Sequence, residues 1–195
     1  MTVLPEPTVV IVPGLRDHVA EHWQSLLADT LDNVAIVPPL ERDGLCVSAR
    51  VAALDAVLTG IDGPVVLVAH SAGVMITVHW AQRHDRPVRG ALLATPPDFE
   101  TPLPSGYPSV EELAAHGWTP TPRRRLPFPS IVAASSTDPL ATARRVSGMA
   151  EAWGSSLIEL GDVGHLNPAS GYGPWPRAAE LLDELLAMTD SEPAR

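Results

Sequence analysis

A single cysteine, Cys46, stands in the 195 residues of the chain. No internal disulfide can form, so nothing here requires an oxidising compartment. Cys46 could serve as a nucleophile, but it opens an amphipathic segment with no glycine-rich turn around it, which suits a packing role better. Basic residues are scarce, 13 against 23 acidic ones, for a formal net charge of −10. That balance argues against nucleic acid as a partner, because phosphate contacts need clustered Lys and Arg. The one basic run, Arg123-Arg124-Arg125, lies in a proline-rich stretch and reads as a solvated turn. Long apolar runs are missing as well. The run at 9–12 is too short for a signal or membrane segment, and no basic region precedes it. The expectation is a cytoplasmic protein with no membrane partner; a protein partner is open but not indicated.

Apolar residues make up 45% and charged residues 18%, the balance of an ordinary globular protein. The length suits one domain over 1–195. Twenty-one prolines cluster in 95–108 and 119–129, outside the periodic segments, and point to rigid loops around a compact body.

Strand-like and helix-like segments alternate along the chain. Apolar or β-branched runs at 8–12, 35–37, 65–69, 91–94, 131–134 and 157–160 read as strands. The run at 65–69 is apolar throughout, as expected of a strand covered on both faces. Helices are predicted at 18–31, 46–59, 72–84, 139–153 and 175–188. The second of these carries Val47, Val51, Leu54 and Leu58 at the spacing of one buried stripe. About six mostly parallel strands with crossover helices form a three-layer α/β/α sandwich. The rhythm breaks once, at 95–129, which is long, proline-rich and helical only near 109–115. Within it, 98–128 is predicted to be a small lid or pocket wall. The tail at 189–195 is expected to fray.

Chemistry concentrates at Ala69-His70-Ser71-Ala72-Gly73, between the apolar strand and the helix that follows it. A serine on a sharp strand-to-helix turn is exposed at the C-terminal edge of the sheet. Its flanking positions must be small, as Ala69 and Gly73 are, and the N–H of Ala72 at the helix start can receive an oxyanion. The string alone is weak, expected about 0.2 times by chance in this composition. Its placement carries the weight.

Such a nucleophile needs a base, and the base needs an orienting acid, in the chain order Ser, Asp, His. The strand at 131–134 runs into Ser135-Ser136-Thr137-Asp138-Pro139, and that at 157–160 into Gly161-Asp162-Val163-Gly164-His165. Asp138 is the acid and His165 the base, although an Asp before Pro also makes a good N-cap for the helix at 139–153. Asp98, after the strand at 91–94, is the rival acid. His70 is too close to Ser71 along the turn to act as its base and is expected to pack or hydrogen-bond locally. The second oxyanion donor should follow the first strand, where Pro13-Gly14-Leu15 offers the Leu15 N–H.

One motif competes. His18-Val19-Ala20-Glu21-His22 spells H-x-x-E-H, expected only about 0.01 times by chance. On a helix its two histidines would share a face and could bind zinc, yet no third ligand stands out downstream.

The chain resembles the small, nearly capless α/β-hydrolases of the retinoblastoma-binding protein 9 type, with their bacterial YdeN-like relatives. The resemblance rests on Ile11-Val12-Pro13-Gly14-Leu15, Glu21-His22-Trp23-Gln24, the Ser71 motif, Ala91-Leu92-Leu93-Ala94-Thr95-Pro96-Pro97-Asp98, the Asp138 loop, and 161–176. It implies a compact α/β-hydrolase fold with a minimal lid and a serine hydrolase for small carboxylic esters, or amides. It carries the triad onto Ser71, Asp138 and His165, and it implies no cofactor and no metal. The first loop departs from the family's Gly/Ser-rich turn, reading Leu15-Arg16-Asp17-His18. Tyr107, Trp118 and Trp175 are the expected substrate-binding aromatics, unless they merely cover the sheet. A weakly catalytic or non-catalytic protein-binding module on the same scaffold is the alternative function.

Overall fold

Successive side chains of a strand point to opposite faces of its sheet. In the strand Thr8–Val12 (β1), Val10 and Val12 therefore join one apolar cluster while Val9 and Ile11 join another. The computed structural model, which describes residues 5–190, has this division running through its whole centre. The further strands are Val34–Ile36 (β2), Val65–His70 (β3), Gly90–Ala94 (β4), Ser130–Ala134 (β5) and Ser156–Glu159 (β6). All six residues of β3 are buried, as its unbroken apolar run requires.

The strands lie in the order β2-β1-β3-β4-β5-β6, and every neighbouring pair is parallel. The sheet is thus wholly parallel, where the sequence reading allowed for an exception. The helices Val47–Thr59 (α2), Ala72–Trp80 (α3) and Ala143–Trp153 (α5) cover one face. The helices Trp23–Ala28 (α1) and Arg177–Asp190 (α6) cover the other. This is an α/β/α sandwich of the α/β-hydrolase type.

The predicted stripe of α2 is buried at all four positions, and each such side chain stabilises the fold by about 1.5–3 kcal/mol. From β1 the chain steps outward to β2, then returns past β1 to β3. The connections after β1 and β3 therefore diverge and leave a crevice at the C-terminal ends of those strands.

Two predicted helices begin four or five residues later than expected. Residues 18–22 are not helical, because His22 is the N-cap of α1, its Nδ1 accepting the N–H of Gln24 at 3.2 Å. In α5 the cap is Thr142, whose hydroxyl accepts the N–H of Arg145 at 3.3 Å. Asp138 is therefore not an N-cap. Residues 189–190 continue α6 instead of fraying, and 191–195 lie outside the described residues.

The segment between β4 and β5 holds one short helix, Val110–Ala115 (α4), with a full capping box at Ser109 and Glu112. Its apolar residues Phe99, Leu113, Trp118, Leu126 and Phe128 are buried in the α2–α3–α5 side of the core. Asp98 receives both arms of the Arg145 guanidinium, at 2.7 and 2.9 Å, and Glu100 bonds Arg145 and Arg123. The segment is pinned to α5.

Candidate active site

Between the end of β3 and the start of α3 stands one residue, Ser71. Its φ of +56° lies in the left-handed region, which residues with a side chain seldom occupy. Strain of this kind costs about 1–3 kcal/mol and persists only where the surroundings enforce it. They do so here. The Ser71 N–H donates to the Ala94 carbonyl at 3.0 Å, and α3 passes so close to β1 that a Cβ on Gly73 would run into the Val12 carbonyl oxygen. The turn holds the Ser71 hydroxyl at the C-terminal edge of the sheet, in the crevice between β1 and β3.

The loops after β5 and β6 reach the same edge and are tied to each other. Ser136 N–H donates to the Gly161 carbonyl at 2.9 Å, and Gly164 N–H donates to the Thr137 hydroxyl at 3.1 Å. Gly164 adopts a φ of +57°, and a Cβ there would meet the Ser170 hydroxyl at 2.6 Å. That hydroxyl is already engaged, accepting the His165 N–H at 3.0 Å. His165 Nδ1 lies 2.9 and 3.0 Å from the two carboxylate oxygens of Asp138. A carboxylate only accepts, so Nδ1 carries the proton and Nε2 is bare. Nε2 lies 2.8 Å from the Ser71 hydroxyl and accepts its proton. Asp138 is itself fixed by the Leu140 N–H at 2.9 Å, and its side chain is 1% exposed. A hydroxyl, an imidazole and a carboxylate form one chain of hydrogen bonds.

A cleft of about 150 Å3 opens over Ser71, lined by Pro13, Gly14, Leu15 and Tyr107 among others. Gly14 is so near that a Cβ there would lie 3.2 Å from the Ser71 Cβ and 3.5 Å from its hydroxyl oxygen. The loop after β1 therefore passes close to Ser71, Leu15 follows Gly14 in it, and Ala72 is the first residue of α3.

Residues 9–184 match the family described as serine hydrolase. The chain belongs to the serine hydrolase family. It resembles a protein from Pectobacterium atrosepticum described as a YdeN-like hydrolase, with 27% identity and a TM-score of 0.79, over 94% of this chain and 92% of that one. The ydeN gene product of B. subtilis shares 18% identity at a TM-score of 0.69, over 93% and 100% of the two chains. A thermophilic esterase from Thermogutta terrifontis with malate bound shares 16% at 0.64, over 94% and 90%. At these lower identities the likeness is one of fold. No curated protein matches the chain by sequence. The chain is thus a serine hydrolase by family, similar in structure to the YdeN-like hydrolases.

The remaining expectations fall out unevenly in this hydrolase. Tyr107 lines the cleft. Trp118 does not: it is wholly buried, its indole N–H donating to the Leu45 carbonyl at 2.6 Å and its ring edge-on to Phe99. Trp175 is also outside the lining, packed edge-on against Trp23 with ring centroids 4.8 Å apart. Both aromatics cover the core because each has a large apolar face and a neighbouring ring to bury it against. Asp98 is occupied by Arg145 and makes no hydrogen bond to His165. His18 and His22 share no helix face, and among the described residues no group of three His, Cys, Asp or Glu could hold a metal ion. His18 Nδ1 lies 3.1 Å from the Ser25 hydroxyl instead. Cys46 is at the start of α2, outside the cleft.

Three further residues support the site: Arg50, which the sequence reading did not name, and Gln24 and His22, which it named only in the resemblance and, for His22, as a possible zinc ligand. Arg50, buried on α2, donates to the Asp17 carboxylate at 2.8 Å, the Leu15 carbonyl at 3.3 Å and the Gly44 carbonyl at 2.5 Å. Its position within the apolar stripe of α2 was the available signal, since a charge there needs a partner. Gln24 donates to the Val12 and Val68 carbonyls, at 3.2 and 3.0 Å. His22 lines the cleft, and burial, with the nearby charge of His165, pushes its pKa down to about 4.

Proposed function

We propose that this hydrolase cleaves small carboxylic esters, and amides more slowly, through an acyl-enzyme formed on Ser71. The hydrogen-bonded chain from Asp138 through His165 to Ser71 carries this reading. As Ser71 Oγ attacks the carbonyl carbon, its proton passes to His165 Nε2, and Asp138 holds the imidazole orientation and stabilises the imidazolium. The carbonyl oxygen becomes an oxyanion between the N–H groups of Leu15 and Ala72. Removing one such donor typically costs about 100- to 1000-fold in rate. Nε2–H then protonates the leaving alkoxide as the carbon–oxygen bond breaks. A water molecule repeats the sequence and frees the acid. The cleft volume of about 150 Å3 favours short substrates. Esterases among the similar folds support an ester in preference to an amide.

The setting is proposed to be cytoplasmic, a reading supported by the lone cysteine; no helix among the described residues is long and apolar enough to cross a membrane. Turnover of 4-nitrophenyl acetate and covalent labelling by a fluorophosphonate probe test the proposal. Both are expected to vanish in Ser71→Ala while thermal unfolding stays cooperative. Turnover retained in pure Ser71→Ala would overturn it, and a wild-type protein inert to both would favour the binding-module alternative.

A further inference from the structure

We propose that the cleft selects ester substrates that carry a free carboxylate, and that Arg16 binds that carboxylate. The proposal rests on the ester-hydrolase reading above and names its substrate class.

Arg16 follows Leu15 in the loop over Ser71 and lines the same cleft. Its guanidinium lies over the ring of Tyr107, 5.7 Å from the centroid. Such a contact fixes a long side chain weakly, by about 0.5–1 kcal/mol at an exposed site. Among the described residues no carboxylate pairs with Arg16, although acidic side chains outnumber basic ones 23 to 13 in the chain.

The other ionisable groups of the lining leave this charge uncompensated. Asp17 is the only acid there, and its carboxylate is held by Arg50 at 2.8 Å. Asp138 lies behind the His165 ring, outside the lining. His70 is buried and His22 holds a pKa near 4, so neither is charged at neutral pH. Arg16 is thus the one fixed charge in the lining that no side chain offsets. A guanidinium presents paired N–H donors that match the two oxygens of a carboxylate. Ile11, Leu15, Val19, Ile36 and Leu140 supply an apolar wall for the carbon chain between that carboxylate and the ester.

The carboxylate can belong to the acyl part or to the alcohol part of the ester, and two substrate pairs separate these. On the alcohol side, 4-acetoxybenzoate is compared with methyl 4-acetoxybenzoate. On the acyl side, mono-4-nitrophenyl adipate is compared with methyl 4-nitrophenyl adipate. Within each pair the members differ by one methyl group that removes the charge, and release of the phenol reports cleavage of the shared ester bond. For at least one pair the wild type is expected to prefer the anionic member by about tenfold in kcat/KM, chiefly through KM. In Arg16→Gln the preference falls to near unity, Arg16→Lys is intermediate, and added salt weakens it in the wild type. Equal turnover of charged and neutral members by the wild type overturns the proposal and leaves the ester-hydrolase reading intact. So does a preference that survives Arg16→Gln. Absence of turnover for all four esters, with no fluorophosphonate labelling, overturns both.

Discussion

The ring of His70 is joined to the main chain of His165: its Nε2–H donates to the His165 carbonyl oxygen at 2.9 Å. The residue before Ser71 thereby anchors the loop that carries His165. The two rings pack with centroids 5.0 Å apart, and the His22 ring packs against that of His70 with centroids 4.5 Å apart. Burial, and then the nearby charges of His165 and His22, hold the His70 pKa well below the ordinary histidine range. The ring stays neutral and serves as a donor.

Replacing His70 by Phe keeps most of the volume and removes the donor. The buried His165 carbonyl would keep only the long bond from the Thr95 hydroxyl, at 3.5 Å, and the change should cost about 1–3 kcal/mol. In a chain of this length that lowers Tm by roughly 2–12 °C. A less well placed imidazole is expected to reduce kcat about tenfold, with partial recovery in His70→Gln, whose amide can donate. Wild-type Tm and kcat in His70→Phe would show that the bond is unimportant.

Arg50 should act on rate more than on substrate binding. It clamps the loop of Leu15 from beneath, and Asp17 in that loop holds a φ of +55°. Arg50→Met removes the clamp and leaves the Asp17 carboxylate without its partner. The expected result is a kcat lowered by about 10- to 100-fold with KM changed much less, since a loosened oxyanion donor harms the transition state. A purely structural arginine would lower Tm and leave the kcat of the folded fraction as it was.

Stability should fall with acidity. Burial depresses the pKa of His22, His70 and His79, so the unfolded chain binds protons near pH 6.5 that the native state refuses. The stability is full above that pH and is lost as pH drops toward 4, with each such group adding up to about 1.4 kcal/mol per pH unit. Asp98 and Glu100, whose pKa values lie below their ordinary range beside Arg145, add a further loss only at lower pH. Denaturant midpoints measured from about pH 8 to pH 5 should decline. The decline should be shallower in His22→Asn, which keeps an N-cap oxygen. A flat profile would contradict the assignment of buried neutral histidines.

Gly73 tolerates no side chain. A Cβ would meet the carbonyl oxygens of Val12 and Pro13, which belong to backbone and cannot swing aside. Gly73→Ala is expected to lower Tm by several degrees at least, and fluorophosphonate labelling of Ser71 with it, because α3 must back away from β1. Unaltered labelling and Tm would mean that the elbow has room to spare.

Much of this was open to reading before any coordinates. The strand at 8–12 has the predicted bounds, and the others fall within about one residue, because a buried strand writes itself as an unbroken apolar run. The order Ser71, Asp138, His165 and their positions just beyond strand ends were equally legible. Helix starts were harder. Pro139 and the run from His18 each resemble a helix beginning, yet the caps that form are Thr142 and His22, chosen by which side chain reaches a free N–H. Trp118 and Tyr107 sit in the same proline-rich segment, and nothing in their local pattern says that one faces the core and the other the cleft.

The sequence by itself determined the alternation of strands and helices, the apolar division of the core and the places of Ser71, Asp138 and His165 just beyond strand ends, because each is a property of neighbours along the chain. Only the tertiary structure decided what meets across it: Arg50 with Asp17, His70 with His165, Arg145 with Asp98, and Arg16 with the Tyr107 ring but, among the described residues, with no carboxylate. Those pairings depend on distances between segments tens of residues apart, and burial assigns each charge or hydrogen-bonding group its partner only once the layers have packed.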